Sequence, residues 1–210
     1  MANVTFPSNM SFQNEIDSRA VLRKTLRNAR KSLSNDAYCY AQQAIAKQLR
    51  SIVSQDKKCN IAVYLENDGE VNLDAFITHC WTSLPNITFS LPVLHPVNKG
   101  HLLFLRYAPY TRLVTNKYNI NEPELACSEV IPTPNIDIFL MPLVGFDKKG
   151  HRLGMGGGYY DRTLAFTQRV EVKPTLIGIA HDIQEVDTLP VAYWDIPLDV
   201  IVTPTRILKF

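Results

Sequence analysis

Six apolar runs of strand length recur along the 210-residue chain, and most of them are continuous instead of alternating with polar residues. They occupy 61–65, 87–91, 102–105, 136–144, 175–180 and 200–203. A strand with apolar side chains on both sides must be covered on both faces, which is the condition of a parallel sheet flanked by helices. Helix periodicity supplies the cover. Leu22, Leu26, Ala29 and Leu33 share one face of a helix beginning near Asp17, and Tyr38, Ala41, Ile45, Leu49 and Ile52 share one face of a second. Ser34-Asn35-Asp36 separates the two and provides a capping side chain. Val71 to Trp81 predicts a shorter helix, and the turn residues Asn98-Lys99-Gly100 make 87–91 and 102–105 an antiparallel pair. Prolines 109, 123, 132 and 134 make 109–135 loop-rich.

The expected fold is therefore α/β: a mainly parallel, partly mixed open sheet with helices on both faces, in a Rossmann-like three-layer architecture. Residues 1–16 are polar and predict a flexible N-terminal extension with no secretory apolar stretch, leaving 17–210 as a single domain. No apolar run approaches the ~20 residues needed to span a bilayer. A net charge of +2 does not suggest a nucleic-acid binder. Cys39, Cys59, Cys80 and Cys127 show no metal or redox spacing and are expected to be buried free thiols of a cytoplasmic protein. His79, His95, His101, His151 and His181 show no metal-ligand spacing, and Trp81 and Trp194 are expected to pack, with Trp194 beside Asp195 able to border a cleft.

Chemistry concentrates in 146–162. Gly154-Met155-Gly156-Gly157-Gly158 places four glycines in five residues between the 136–144 strand and an expected helix. Removing side chains lets backbone N–H groups approach a polyanion, and a helix N-terminus adds partial positive charge there. The run matches neither G-x-x-x-x-G-K-[ST] nor G-x-G-x-x-G, so a tight turn remains the competing reading. Arg152, Asp161 and Arg162 flank it and favour an anion site, where Asp161 offers hard oxygen to a cation or caps locally. Arg19, Arg23, Lys24, Arg27, Arg30 and Lys31 form an all-basic stretch of the first helix, either a solvated face or a phosphate-binding one.

Arg19-Ala20-Val21-Leu22-Arg23, Arg30 with Leu33-Ser34, Tyr64-Leu65 to Glu70, Phe146-Asp147, the run from Arg152 to Arg162, Trp194 to Asp199 and Val202-Thr203-Pro204 together resemble the 5-formyltetrahydrofolate cyclo-ligase family, also called 5,10-methenyltetrahydrofolate synthetase. The resemblance covers nearly all of the chain after residue 17. It implies an ATP-dependent ligase that requires Mg²⁺ and has ATP and 5-formyltetrahydrofolate as its small-molecule partners; the chain is expected to act as a cytoplasmic monomer with no nucleic-acid or membrane partner. ATP would meet Arg19, Arg23 and Arg152, Leu153, Gly154, Met155, Gly156, Gly157, Gly158, Tyr159 and Tyr160. Folate would meet Leu65, Glu70 and Met155 to Tyr159. Arg152 and Tyr160 would act in catalysis, and Asp161 and Asp195 would hold Mg²⁺. Most members carry Lys where this chain has Arg19, and some carry Arg and Lys where it has Met155 and Gly157.

The implied chemistry suits these residue types. An N5-formyl oxygen is a poor leaving group until phosphorylated, after which N10 can attack the carbon and expel phosphate. The protein then has only to align the groups and neutralise charge, with no Ser or Cys nucleophile. Glu70, an acceptor-only carboxylate, would take the pterin's N–H donors; without the resemblance it reads as a solvated loop acid. Sugar-phosphate isomerases and acyl-CoA transferases share similar α/β architecture, and a non-catalytic folate- or nucleotide-binding module is a further alternative.

Overall fold

The computed structural model describes residues 12–53 and 57–210. Helix α1 (Phe12–Lys31) and helix α2 (Asn35–Ile52) are separated at Ser34, whose hydroxyl accepts the Ala37 N–H at 3.2 Å as the expected N-cap. The chain is already helical at Phe12, so the span expected to be a flexible extension, 1–16, overlaps α1; residues 1–11 lie outside the described residues. Strand β1 (Cys59–Ala62) leads through α3 (Asp74–Ser83) to β2 (Ile87–Leu94), which turns at Gly100 into β3 (Leu102–Tyr107). The loop-rich region contains a small hairpin, β4 (Leu113–Thr115) with β5 (Asn121–Pro123). Then come β6 (Ile138–Pro142), a tight hairpin of β7 (Gly145–Phe146) and β8 (Arg152–Leu153), helix α4 (Tyr159–Leu164), and strands β9 (Thr175–Ile179), β10 (Val200–Val202) and β11 (Ile207–Lys209).

Seven strands form one sheet in the order β11-β10-β9-β6-β1-β2-β3. The pairs from β10 through β2 are parallel, and both edge pairs, β2 with β3 and β10 with β11, are antiparallel. The expected α/β class and the antiparallel 87–107 pair are thus as observed. Strand β11, the β4–β5 hairpin and the β7–β8 hairpin were not anticipated, because runs of two or three residues carry no readable period.

Strand β6 shows why continuous apolar runs imply two covers. Leu140 faces the side covered by Ile45 and Leu49 of α2 and Phe76 and Ile77 of α3. Phe139 and Met141 face the other side, among Phe104, Leu164 and Ile196. Phe104 and Phe139 meet edge-on at 5.2 Å, and each fully buried aromatic of this kind contributes ~1.5–3 kcal/mol. The second face is covered by the short α4 and by irregular chain around Ile196 and Leu198, a lighter helical layer than expected. Helix α1 packs at the end of the sheet, with Leu22 and Leu26 against Val144, Leu153 and Leu189. Connections run outward from β1 to β2 on one side and from β6 to β9 on the other, so a topological switch point lies between β1 and β6, where open α/β sheets bind ligands.

Candidate active site

A cleft of about 780 Å³ opens at that switch point, lined by Tyr64 and Leu65 beyond β1 and by Pro142 and Leu143 at the end of β6. One long wall is α1. Its Arg19, Arg23 and Arg27 are spaced four apart and share a face, while Leu22 and Leu26 on the adjoining face anchor the helix. Each arginine ties down a different loop. Arg19 makes a bidentate pair with Asp195 at 2.6 and 3.1 Å, Arg23 donates from Nε to the Gly154 carbonyl at 2.8 Å, and Arg27 pairs bidentately with Asp68 at 2.7 and 3.0 Å. Burial, then the neighbouring Arg19 charge, lowers the Arg23 pKa. The reading of this helix as a solvated basic face fails for these three residues.

The turn after β1 is built around Asp68, which sits at φ 56° beside Gly69 at φ 79°. Its carboxylate collects Arg27, Arg30 and Lys31, and the Arg27 hydrogen bond first among these holds it well below the usual carboxylate range. Arg30 is buried, donating also to the backbone oxygens of Asp68 at 3.0 Å and Leu143 at 3.1 Å. This knot delivers Glu70 to the cleft wall, where it is not a solvated loop acid. Burial pushes its carboxyl up to about 7, against the Arg30 guanidinium 4.0 Å away. Tyr38 donates to the Glu70 backbone oxygen at 2.7 Å, and Tyr64 to that of Val71 at 2.8 Å.

The glycine loop, 154–158, faces both walls. A hairpin separates it from β6, and the helix after it has six residues, so the expected strand–loop–helix unit is replaced by strand–hairpin–loop–short helix. Gly156 has φ 95°, a backbone conformation that favours glycine, and it lies close under the Arg23 guanidinium. Among the described residues, the N–H groups of Gly156, Gly157 and Gly158 donate no hydrogen bond within the protein, which suits a cradle for an anion. Arg152 is buried behind the loop. It donates to Asp161 Oδ1 at 2.6 Å, lies 5.8 Å from the Tyr160 ring centre, and has an Nε without a partner among the described residues. Burial pushes the Tyr160 phenol well above its usual value, so it stays protonated at neutral pH.

Of the residues singled out in the sequence, Arg19, Arg23, Leu65, Glu70, Arg152, Gly154, Met155, Gly156, Gly157, Gly158, Tyr159, Tyr160, Asp161 and Asp195 all line this one cleft. Leu153 does not. Strand alternation turns its side chain into the cluster beneath α1, where it is 1% exposed and packs with Leu22 and Leu26. Sequence reasoning did not place Arg27, Asp68, Asn116, Tyr118 and Glu122 on the cleft. The last three arrive on the β4–β5 hairpin, with Tyr118 and Tyr159 hydroxyls 2.8 Å apart and Glu122 accepting from the Leu94 N–H. Trp194 borders the cleft, whereas Trp81 packs against Phe89 and Tyr107. All four cysteines are free as expected, but Cys39 and Cys127 are exposed instead of buried.

Among the described residues, no group of three or more His, Cys, Asp or Glu gathers to hold a metal. Asp161 accepts Arg152 and the Ile196 N–H on Oδ1, and Asp195 accepts Arg19 on both oxygens and the Ala192 N–H on Oδ2. Mg²⁺ is usually held by one or two carboxylates plus phosphate oxygens, and Asp161 and Asp195 both line the cleft. Of the two, Asp161 suits that role, its Oδ2 accepting no hydrogen bond among the described residues, whereas Arg19 occupies both oxygens of Asp195.

Residues 15–204 match the model of the 5-formyltetrahydrofolate cyclo-ligase family. A 5-formyltetrahydrofolate cyclo-ligase of Haemophilus influenzae is 42% identical over 88% of this chain and 97% of its own length, and one of Escherichia coli is 40% identical over 88% and 100%. Among solved structures, the 5,10-methenyltetrahydrofolate synthetase of Aquifex aeolicus superposes with a TM-score of 0.75 at 29% identity, covering 91% of this chain and 92% of that one. The corresponding synthetase of Mycoplasma pneumoniae gives 0.68 at 28% identity over 89% and 98%.

Proposed function

The chain belongs to the 5-formyltetrahydrofolate cyclo-ligase family, and we propose that its cleft closes 5-formyltetrahydrofolate to 5,10-methenyltetrahydrofolate at the expense of ATP, releasing ADP and phosphate. The observation that carries this reading is the arrangement of one cleft: glycine-loop amides and two arginines on one side, a buried acceptor carboxylate on the other.

The formyl oxygen attacks the γ-phosphorus, the bond from the γ-phosphorus to the β,γ-bridging oxygen breaks, and ADP leaves. The N5 lone pair then forms an iminium carrying the phosphorylated oxygen. N10 adds to the carbon, the carbon–oxygen bond breaks to release phosphate, and the N10 proton is lost, leaving the N5–C–N10 bridge. The chain's part is alignment and charge stabilisation. Arg23 and Arg152 neutralise the phosphates, and the Gly156–Gly158 amides receive their oxygens. Glu70, as carboxylate, accepts the pterin's N–H donors and sets the ring so that the formyl group faces the loop. Tyr160 stays a neutral hydrogen-bond donor and is not a base. Asp161, with support from Asp195, would hold Mg²⁺, which when bound would supply positive charge to offset that of the phosphates.

Chain, ATP, Mg²⁺ and 5-formyltetrahydrofolate are combined and the methenyl chromophore is followed with ADP release. One ADP per methenyl product is expected. ATP-independent turnover would point to an isomerase- or transferase-like enzyme, and ligand binding without product to a storage module; either outcome overturns the proposal.

A further inference from the structure

Arg162 is exposed and does not line the cleft, yet its guanidinium reaches the glycine loop and the ring of Tyr159 that follows it. Nη2 donates to the Gly157 carbonyl, and the guanidinium carbon lies 5.8 Å from the centre of the Tyr159 ring. Gly158 leaves room for the guanidinium, since a Cβ there would come within 2.9 Å of Nη1. From the same guanidinium, Nε donates to the Gly100 carbonyl in the β2–β3 turn at 2.9 Å. Gly100 itself has φ 84°, and a Cβ there would stand 2.6 Å from the same guanidinium. Two glycines on separate elements therefore leave the space that one planar fork fills.

Among the described residues, the side-chain donors to carbonyls of 154–158 are Arg23 at Gly154, from within the cleft, and Arg162 at Gly157, from outside it. The two pin the loop at opposite ends through its oxygens, and the N–H groups of Gly156 to Gly158 donate no hydrogen bond among the described residues. A guanidinium can bridge two carbonyls and lie over a ring at once; a lysine ammonium, a point donor, cannot hold that geometry. Such a restraint matters because a 1 Å error in placing reacting groups costs about 10²-fold in rate.

We infer that Arg162 is a positioning residue: it splints the glycine loop to the β2–β3 turn and so fixes where the nucleotide's phosphates sit. The inference rests on the ATP-dependent reading of the cleft.

The test uses the whole chain with Arg162→Ala, Arg162→Lys and Gly100→Ala, alone and with Arg162→Ala and Gly100→Ala combined. Each is read by kcat, KM for both substrates, Kd for ATP by titration calorimetry, and thermal unfolding. Arg162→Ala is expected to lower kcat about ten- to hundredfold and weaken ATP binding about tenfold, with the unfolding midpoint nearly kept and turnover partly restored by added guanidinium ion. Arg162→Lys should recover only a fraction. Gly100→Ala, outside the cleft lining, should lower kcat in the parent by displacing the guanidinium and cause a much smaller loss in the Arg162→Ala background, that of the φ 84° turn alone. Parental kcat and ATP affinity in Arg162→Ala would overturn the inference. So would a Gly100→Ala loss of equal size in both backgrounds. If Arg162→Ala does not fold, Arg162→Lys with parental kcat is the overturning result. A parent that binds ATP without forming methenyl product overturns the cyclo-ligase reading alone, and ATP affinity then decides the case of Arg162.

Discussion

Glu70 is the residue at which pH should act on both stability and binding. Its carboxyl is pushed up to about 7 by burial, with Asp68 and Glu66 adding to the rise and Arg30 opposing it. A raised carboxyl pKa means that the folded state holds the proton more tightly than the unfolded chain. The stabilisation is therefore fully present below about 4.5 and lost as pH rises through about 7, a change on the order of 3 kcal/mol. Binding runs the other way, because the pterin's N–H donors call for the ionised form. The KM for folate should rise as pH falls below about 7, and Glu70→Gln should flatten both the stability and KM profiles. An unchanged KM profile in the variant would remove Glu70 from the folate site. At Asp161, Asp161→Asn deletes one charge at constant shape and should raise the Mg²⁺ concentration for half-maximal activity while lowering kcat. Parent-like activity at limiting Mg²⁺ would dismiss it as a holder of the metal.

At the scale of the element, the glycine loop separates two kinds of glycine. Gly156 and Gly158 occupy positive φ, but Gly157 does not, and a Cβ on Gly157 would meet only the Tyr159 ring, at 2.9 and 3.0 Å. Substitution there is therefore a matter of moving one ring, not of backbone strain. Gly157→Val, branched at Cβ, should displace Tyr159, break its hydrogen bond to Tyr118 and lower kcat/KM by more than tenfold. Gly157→Lys, unbranched and cationic beside the phosphates, should retain substantially more activity. Equal loss in both at unchanged unfolding midpoints would mean that the slot tolerates no side chain. Full activity in both would leave the loop a simple turn.

Across the whole molecule, α1 ties loops that belong to distant parts of the chain: the turn at 68, the glycine loop and the segment at 190–195. A ligand seated among them binds only the folded state, so ATP at a hundredfold its Kd should stabilise by about 2.7 kcal/mol. For a chain of this size that is a thermal shift of roughly 5–10 °C. Arg23→Ala, which removes a cleft cation and its bond to Gly154, should shrink that shift and raise KM for ATP more than KM for folate. An unchanged shift would place the nucleotide away from α1.

The reach of sequence reading follows from which forces are local. Apolar runs such as 136–144 declare a doubly covered strand because burial on both faces is written into consecutive side chains, and Ser34 declares a cap because its hydroxyl needs only the N–H three residues on. Glycine clustering marked the loop, and the resemblance brought forward about half of the cleft's lining residues. Tertiary structure decided what depends on partners far along the chain. Whether Glu70 is a solvated acid or a buried one turns on Arg30, Tyr38 and the turn at Asp68, which converge only after folding. Strand alternation, invisible in a two-residue strand, sent Leu153 to the core and Arg152 to the cleft. Tyr118 and Glu122 reached the cleft because a hairpin too short to show a period folds over β2. Arg19, Arg23 and Arg27 are one basic stripe in sequence; their carboxylate and carbonyl partners, 41 to 176 residues away, decide that the stripe is a wall of the cleft and not a solvated face.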